Sequence, residues 1–175
     1  MRKSLPKDFF EKPTLEIAKD LLGKYLVRNF NGKEISSMIT EVEAYIGGED
    51  KACHASCGKT KRNEVMFEDG GRWYVYLVYG MHWMLNIVTE TKDHPSAVLI
   101  RGTDKAKGPA RVTKLLRIDK RFNGLLAAKN SGLWIEDRGI KIKNRDIKKG
   151  PRIGVDYAGP VWSKKPWRFY LKESD

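Results

Sequence analysis

The stretch from Glu41 to Asn86 decides the fold, and it opens with Glu41-Val42-Glu43-Ala44-Tyr45-Ile46. Apolar and polar residues alternate along it, which is the period-two pattern of a half-buried β-strand. Such a strand places Glu41, Glu43 and Tyr45 on one face and the apolar residues on the other. The sequence therefore predicts two carboxylates and an aromatic ring side by side on a sheet.

A predicted β-hairpin closes the same stretch. Its sequence is Trp73-Tyr74-Val75-Tyr76-Leu77-Val78-Tyr79, then Gly80, then Met81-His82-Trp83-Met84-Leu85-Asn86-Ile87-Val88. Aromatic and β-branched residues favour strands, and the glycine favours a tight turn with Tyr79 and Met81 at the tip. Most of these rings are equally well explained as core residues. A large ring at an exposed tip has little to pack against, so we interpret Tyr79 as a wedge that enters a base stack.

The other periodic segments indicate one mixed domain, residues 1–175. We predict a helix from Thr14, as its N-cap, to about Tyr25, and a second helix from Gly108-Pro109 to about Ile118. The predicted strands are Tyr25–Arg28, Glu34–Ile46 after an Asn31-Gly32 turn, Ser96–Arg101, Leu133–Ile135 and Ile140–Ile142, with glycine-interrupted β structure at Arg152–Pro160 and Pro166–Leu171. These elements do not alternate as βαβ units, so the predicted fold class is α+β, with an antiparallel sheet and surrounding helices.

Composition and charge favour a polyanionic partner. The chain has 34 lysines and arginines against 22 acids, a formal net charge of +12 at pH 7. Nucleic acid is a better candidate than a membrane, because no apolar run approaches the ~20 residues of a spanning helix. Met1–Pro6 lacks the apolar core of a signal peptide, and a chain with only two cysteines suits a reducing compartment. We expect an intracellular protein, in the cytoplasm or nucleoid of a prokaryote or the nucleus of a eukaryote.

Two clusters of reactive side chains are candidates for chemistry. Glu41 and Glu43 would lie roughly 7 Å apart on one strand face, where mutual repulsion raises a carboxyl pKa and suits one of them to act as a general base. The alternative is that both simply face solvent. Cys53-His54-Ala55-Ser56-Cys57 crowds potential metal ligands together, but it lacks the paired spacing of zinc sites and the motifs of zinc deaminases. We expect no metal site in this segment.

The motifs of this chain, taken in order, resemble the alkyladenine (3-methylpurine) DNA glycosylase family over nearly the whole length. They are Glu41–Gly47, Glu49-Asp50, His54, Arg62-Asn63, Met66-Phe67, Tyr74–Met81, Asn86, Leu99–Arg101, Gly108-Pro109, Ile118–Lys120, Pro151–Val155 and Lys165–Tyr170. The resemblance implies a single domain with a curved antiparallel sheet that rotates a damaged purine out of duplex DNA and hydrolyses its glycosidic bond without metal or cofactor. The chain departs from the family's pattern at His82 and Trp83, and in a shortened loop between His54 and Arg62.

The resemblance assigns roles around a base pocket. Glu43 would be the base that activates water, with Arg101 beneath the pocket near it. Three side chains would stack against and hydrogen-bond the extruded base, namely Tyr45, His54 and Tyr76. Asn86 would disfavour normal guanine by crowding its exocyclic amine. The sequence carries no sign of a Schiff-base lysine, so cleavage of the DNA strand is not expected.

DNA binding is assigned to the hairpin tip and to surface cations. By the same resemblance, Tyr79 would occupy the gap left in the duplex, with Met81 alongside. Phosphate contacts without sequence preference would come from basic residues. These are Lys59, Lys61, Arg62, Arg111, Lys164, Lys165 and Arg168. The expected partner is double-stranded DNA that contains damaged purines, bound by a monomer.

Two other functions stay open at this level. A non-catalytic nucleic-acid binder would use its basic face and its rings for stacking only, and it would not need Glu43. A nucleoside hydrolase that acts on free nucleosides would be indifferent to salt and to duplex structure, because it makes no phosphate-backbone contacts.

Overall fold

The computed structural model describes residues 2–172, in which short helices pack against one large sheet. The strands are β1 (Lys3–Ser4), β2 (Tyr25–Phe30), β3 (Lys33–Ile46), β4 (Trp73–Val78), β5 (His82–Val88), β6 (Ser96–Thr103), β7 (Ala106–Lys107), β8 (Leu133–Asp137), β9 (Ile147–Gly150) and β10 (Arg168–Leu171). The α-helices are α1 (Thr14–Asp20), α2 (Pro109–Leu115) and α3 (Gly159–Trp162), and short 3₁₀ helices lie between these elements. The predicted α+β fold class is confirmed.

β3 is the centre of the sheet. The main order of strands is β1-β8-β2-β3-β6-β5-β4, while β10 pairs with β3 and β9, and β7 pairs with β6. All of these pairings are antiparallel within the described residues. β3 is 14 residues long, so its first half pairs with β2 and its second half pairs with β6 and β10. The second half carries the acidic motif.

Two tight turns have the backbone that the sequence predicts. Asn31 (φ +50°) and Gly32 (φ +78°) connect β2 to β3, and Tyr79 (φ +51°) and Gly80 (φ +66°) reverse the chain between β4 and β5. Both central residues of each turn are left-handed, as a type I′ hairpin turn requires. The second turn therefore projects Tyr79 away from the sheet.

The acidic segment of β3 is more buried than a half-buried strand. Val42 and Ala44 are fully buried on the core face. Glu43 is also fully buried, because the chain at Ile153 lies over the opposite face and donates a hydrogen bond to its carboxylate. The prediction of one solvent-exposed face is therefore wrong at the centre of this segment, and the alternative of a solvent-facing Glu43 is excluded.

The helices cover the apolar face of the sheet. Ile17 and Ala18 of α1 and Val112 of α2 join Val42 and Ile100 in one buried cluster. Each fully buried valine or isoleucine side chain contributes roughly 1.5–3 kcal/mol to folding. The packed layer fixes the backbones of β3 and β6, from which the acidic and basic side chains of the site project.

Both predicted helices are shorter than expected. Pro13, rather than Thr14, is the N-cap of α1, and the Thr14 hydroxyl instead donates to Glu90 Oε1 at 2.5 Å. α1 ends at Asp20 because the left-handed Gly23 (φ +83°) turns the chain into β2. α2 begins at Pro109 as predicted but ends at Leu115, since Arg117 takes a φ of +51° that a helix does not allow.

Two predicted strands do not form. Ile140–Ile142 is irregular, because the Gly139 N–H donates to Asp137 Oδ1 at 2.8 Å and turns the chain at the end of β8. Arg152–Pro160 is also irregular and contains the 3₁₀ helix Asp156–Ala158. The β structure predicted in Pro166–Leu171 is confirmed as β10, whereas β9 was not predicted.

Candidate active site

Glu43 is held at the base of a cavity by hydrogen bonds to both of its carboxylate oxygens. The Ile153 N–H donates to Oε1 at 2.8 Å, and the Tyr45 hydroxyl donates to Oε2 at 2.8 Å. Burial raises the pKa of the Glu43 carboxyl, although the Ile153 N–H, Arg101 and the Tyr45 hydroxyl oppose that rise. A buried carboxylate with a raised pKa is a better proton acceptor near neutral pH than an ordinary one.

The cavity gathers most of the residues that the sequence singled out. Its volume is about 340 Å³, within the range of small-ligand pockets. The predicted site residues that line it are Glu43, Tyr45, His54, Arg62, Tyr76, Tyr79, Asn86 and Arg101. Met81 is not among them and instead lines a shallow groove with His82 and Trp83. The cavity thus combines one carboxylate and two arginines with several aromatic and aliphatic side chains.

Three rings stand together on one side of the cavity. His54 Nδ1 lies 2.8 Å from the Tyr74 hydroxyl, and the His54 and Tyr76 rings meet edge to face with centroids 4.6 Å apart. Burial, followed by the charge of Arg62, lowers the pKa of His54, so the imidazole is neutral at pH 7. A neutral imidazole has one N–H donor and one acceptor nitrogen, so it can hydrogen-bond a base without adding charge.

Asn86 closes the cavity from β5. Its side chain is buried, and Nδ2 donates to the Tyr74 carbonyl oxygen at 3.1 Å. This bond fixes the amide because Tyr74 and Asn86 face each other across the β4–β5 pair. The amide is therefore a rigid polar group on an otherwise apolar and aromatic wall.

The hairpin tip stands beside the mouth of the cavity. Tyr79 is 88% exposed and Met81 is 68% exposed. A tyrosine and a methionine at such exposure bury almost no apolar surface, which is unusual for large side chains in a chain without a partner. The predicted position of both residues at the tip is confirmed.

Arg101 lies between two glutamates. Its Nε is 3.3 Å from Glu41 Oε1 and 3.7 Å from Glu43 Oε1. Glu41 also accepts a hydrogen bond from Arg168 Nη1 at 2.9 Å. The predicted proximity of Arg101 to Glu43 is therefore observed, and Glu41 belongs to the same group of charges.

A buried ion pair between Arg152 and Asp50 holds the segment at Ile153 that covers Glu43. Neither residue of the pair was among the predicted site residues. Arg152 Nη1 lies 2.5 Å from Asp50 Oδ2, Nη2 lies 2.8 Å from Asp50 Oδ1, and both side chains are fully buried. The Arg152 guanidinium also lies 4.7 Å from the centre of the Tyr45 ring. Both residues stand in motifs of the family resemblance, which was the only available signal for them.

Tyr157 is a second residue that sequence reasoning missed. Its ring lines the cavity and is well exposed, and its hydroxyl donates to the Ala52 carbonyl oxygen at 3.1 Å. No periodic pattern marks Tyr157, because it lies in an irregular segment. The ring offers a further aromatic surface to the cavity.

The predicted phosphate-binding cations have different environments. Lys59, Lys61, Arg111 and Lys164 are exposed. Arg62 donates to the Leu77 carbonyl oxygen at 3.2 Å, near the hairpin tip. Lys165 lies over the Trp162 and Trp167 rings at 5.3 and 5.6 Å. Arg168 is paired with Glu41, so part of its hydrogen-bonding capacity is already used.

The cysteines stand apart from this chemistry. Cys53 is buried and Cys57 is exposed, and both are free thiols. Burial raises the pKa of the Cys53 thiol to about 12, which keeps it protonated.

Between residues 2 and 172 there is no group of three or more His, Cys, Asp or Glu side chains that could hold a metal ion. Nor does any helix in that range have the length and apolarity to cross a membrane.

Comparisons with known proteins identify the family of this chain. The chain matches the family described as Methylpurine-DNA glycosylase (MPG) over residues 8–107 and 102–175. A relative from Methanocella arvoryzae is 45% identical over 190 residues, covering 97% of this chain and 93% of the relative. This relative is named "Putative 3-methyladenine DNA glycosylase", as are the two relatives described next.

The similarity extends to distant microbial groups. A relative from Legionella pneumophila (strain Corby) is 44% identical, with 99% of this chain and 97% of the relative covered. Another, from Clostridium perfringens (strain 13 / Type A), is 37% identical, with 97% and 96% covered. Identity at this level over nearly the full length of both chains confirms the resemblance that the motifs indicated. This chain belongs to the methylpurine-DNA glycosylase family.

Proposed function

We propose that this protein is a monofunctional DNA glycosylase that removes damaged purines from duplex DNA and leaves an abasic site. The observation that carries the proposal is the buried Glu43 carboxylate, hydrogen-bonded through both oxygens at the base of a ring-lined cavity of about 340 Å³. A binding module that only stacks bases has no use for a buried carboxylate with a raised pKa, which costs stability. The domain acts as a monomer, residues 1–175.

Glu43 serves as the general base in the proposed mechanism. Hydrolysis of an N-glycosidic bond builds positive charge on the sugar, so a nearby carboxylate can both take a proton from water and stabilise that charge. Each carboxylate oxygen of Glu43 uses one acceptor site on its present partner, which leaves capacity for a water molecule. Arg101 lies close enough to help hold that water or the developing charge.

The aromatic wall selects the base. Electron-rich rings at Tyr45 and Tyr76 attract a cationic alkylated purine by cation–π interaction, and both rings line the cavity. The neutral His54 imidazole hydrogen-bonds the base. The rigid Asn86 amide crowds the exocyclic 2-amine of a normal guanine. The proposed substrates are 3-methyladenine and hypoxanthine, which lack that amine, and 7-methylguanine, which keeps it but is a better leaving group because it is cationic. Damaged pairs cost less to open, which adds selectivity before chemistry begins.

Duplex binding uses the tip and the basic surface. Tyr79 fills the space that the rotated nucleotide leaves, with Met81 beside it, and the cations predicted to contact phosphate supply affinity without sequence preference. No lysine is found among the residues that line the cavity in the described part of the chain. This supports simple hydrolysis with no cleavage of the DNA strand, since strand cleavage by a glycosylase needs an amine to form a Schiff base.

A base-release assay tests the proposed function. Wild-type protein is incubated with duplexes that each carry one lesion, and the released base and the alkali-labile abasic site are measured separately. We expect base release without strand breaks before alkali treatment, and a steep fall in rate as salt is added, because phosphate contacts release counterions. Absence of base release from every duplex in the panel would refute the proposal. Salt-independent activity on free nucleosides would support a nucleoside hydrolase instead.

Replacement of Tyr79 by glycine separates the proposed wedge from the fold. Tyr79 has a φ of +51° and is 88% exposed, so glycine removes a strained backbone position without loss of packing. We expect unchanged or slightly higher thermal stability, together with about 10-fold or greater loss of duplex affinity, the order of one stacked base. Tyr79→Phe, which keeps the ring, should behave like wild type. Full activity of the glycine variant on duplex substrate would contradict a wedge at this position.

A further inference from the structure

Four charged side chains form a row that ends at the buried base. Arg168 on β10 donates to Glu41 Oε1 at 2.9 Å, and Arg101 Nε on β6 lies 3.3 Å from the same Glu41 oxygen. The next distance, from Arg101 Nε to Glu43 Oε1, is 3.7 Å. The signs alternate along the row. The Arg101 guanidinium is therefore shared, and its Nε is closer to Glu41 than to Glu43.

The fold makes room for Glu41 in this row. The β3–β6 register shifts on both sides of Glu41, so its side chain does not follow the regular pleat. Its partner in β6 is Gly102, where a Cβ atom would lie only 3.2 Å from Glu41 Cβ and 3.3 Å from Oε2. A Cβ atom at this position would require Glu41 to shift slightly, so the glycine and the bulge together leave space for the carboxylate beside Arg101.

The two glutamates that approach the Arg101 Nε atom line different cavities. Glu43 and Arg101 line the base pocket, whereas Glu41 and Arg168 line a second cavity. The Glu41 side chain is 20% exposed and Arg101 is 17% exposed, while Glu43 is 0% exposed. Glu41 thus remains in contact with water, whereas Glu43 does not.

We propose that Glu41 is a positioning residue for the hydrolysis: it competes with Glu43 for the Nε–H of Arg101 and so prevents the guanidinium from pairing fully with Glu43 and neutralising it. This role presupposes the glycosylase function proposed above. Glu41 touches neither the water nor the base; it acts through Arg101 and through the repulsion of its charge on Glu43. Arg168 in turn holds Glu41 in place. A strong base needs a carboxylate that is stabilised but not fully paired, and the shared guanidinium meets that need.

The charge around Glu43 sets the direction of the test. The groups that act on it are Arg101 from β6, Tyr45 and Glu41 from β3, the Ile153 N–H, and more weakly Arg152 and Tyr76. Burial is the main cause of its raised pKa, and Glu41 adds to the rise. Loss of the Glu41 charge removes that addition and leaves Arg101 to Glu43 alone. Both changes lower the pKa of Glu43, so Glu43 becomes a weaker base.

The experiment compares Glu41→Gln, Glu41→Asp and wild type in single-turnover base release from a hypoxanthine-containing duplex over a range of pH. The general base must be deprotonated, so activity is lost as pH falls through its pKa. This decline at low pH, the acid limb of the pH–rate profile, reports the pKa of Glu43. We expect Glu41→Gln to move the acid limb to lower pH and to reduce the plateau rate about 10-fold, the order of a weakened general base. Glu41→Asp, which keeps the charge, should restore most of the acid limb.

Glu34→Gln is the matched control. Glu34 lies on the same strand as Glu41, remote from the cavity, and is paired with Arg2 at 2.9 Å. The acid limb and the plateau rate of Glu34→Gln should therefore equal those of wild type. An unchanged acid limb in Glu41→Gln would overturn the inference, even if the variant lost stability or rate, because a purely structural role does not change the titration of Glu43.

Carboxyl titration distinguishes this inference from the proposed function itself. In the free protein, ¹³C-labelled glutamate allows the Glu43 carboxyl to be titrated by NMR without any substrate, with Glu43→Gln used for assignment. A lower Glu43 pKa in Glu41→Gln supports the positioning role, and an unchanged pKa overturns it. If wild type released no base in the assay above, the glycosylase proposal would fail, while this titration would still report on the coupling between the two glutamates.

Discussion

Replacement of Glu43 by Gln is expected to slow base release by a factor of about 10² to 10⁴, the usual contribution of a general base. Glutamine is nearly isosteric and keeps both contacts, since its amide oxygen can accept from the Ile153 N–H and its amide nitrogen can donate to the Tyr45 oxygen. Only the proton acceptor is lost. The measurement is the single-turnover rate on a hypoxanthine-containing duplex, with binding of the same duplex measured separately.

The stability of the same variant provides its control. Because burial raises the pKa of Glu43, the ionised carboxylate destabilises the fold above that pKa, and the neutral form does not. Glu43→Gln should therefore melt at a higher temperature than wild type at pH 8, and the difference should shrink toward pH 4. A variant that is stable, binds duplex and still releases base at the wild-type rate would refute Glu43 as the base. A variant that is inactive because it unfolds would contradict the predicted gain in stability.

Local periodicity was enough to predict which strand carries the acids. Alternation along a strand is a property of neighbouring residues, so Glu43 and Tyr45 could be placed on one face before any tertiary contact was known, and their side chains are indeed hydrogen-bonded. The tip at Tyr79 followed in the same way from a single glycine between two strand patterns. Burial could not be predicted in this way, because the N–H that covers Glu43 comes from Ile153, 110 residues along the chain.

The errors have the same physical origin. Ile140–Ile142 has the composition of a strand, but the turn at Gly139 leads it away from β8. Ile142 instead packs against Gly23, so closely that a Cβ atom on Gly23 would lie 2.8 Å from Ile142 Cγ1. The segment after Arg152 is likewise fixed by a distant carboxylate rather than by its own pattern. Tertiary contacts override local propensity where a segment lacks a regular partner strand. The supporting part of the site lies in such segments.

Replacement of Arg152 by Met is expected to lower the stability of the protein by about 3–5 kcal/mol, the cost of breaking a buried ion pair from one side. The variant leaves Asp50 fully buried with its charge unpaired, and it also removes the bonds from Arg152 to the Ala44 and Trp162 carbonyl oxygens at 2.9 and 3.2 Å. For a domain of this size the melting temperature should fall by about 6–20 °C. Denaturant unfolding at pH 7 measures the loss directly.

The matched comparison for Arg152→Met is the exposed pair of Arg2 and Glu34, for which Glu34→Gln should cost less than about 1 kcal/mol. Asp50→Asn combined with Arg152→Met should recover part of the loss, because no unpaired charge then remains buried; full recovery is not expected, since Asp50 also accepts from the Ile46 and Ala52 N–H groups. A loss below about 1 kcal/mol in Arg152→Met would show that the pair does not hold the segment.

Where the Arg152→Met variant is still folded, base release should also be slower. The adjacent Ile153 N–H donates to Glu43 Oε1 at 2.8 Å, and its position depends on the Arg152–Asp50 ion pair. The ion pair would then link the stability of the domain to the placement of its base.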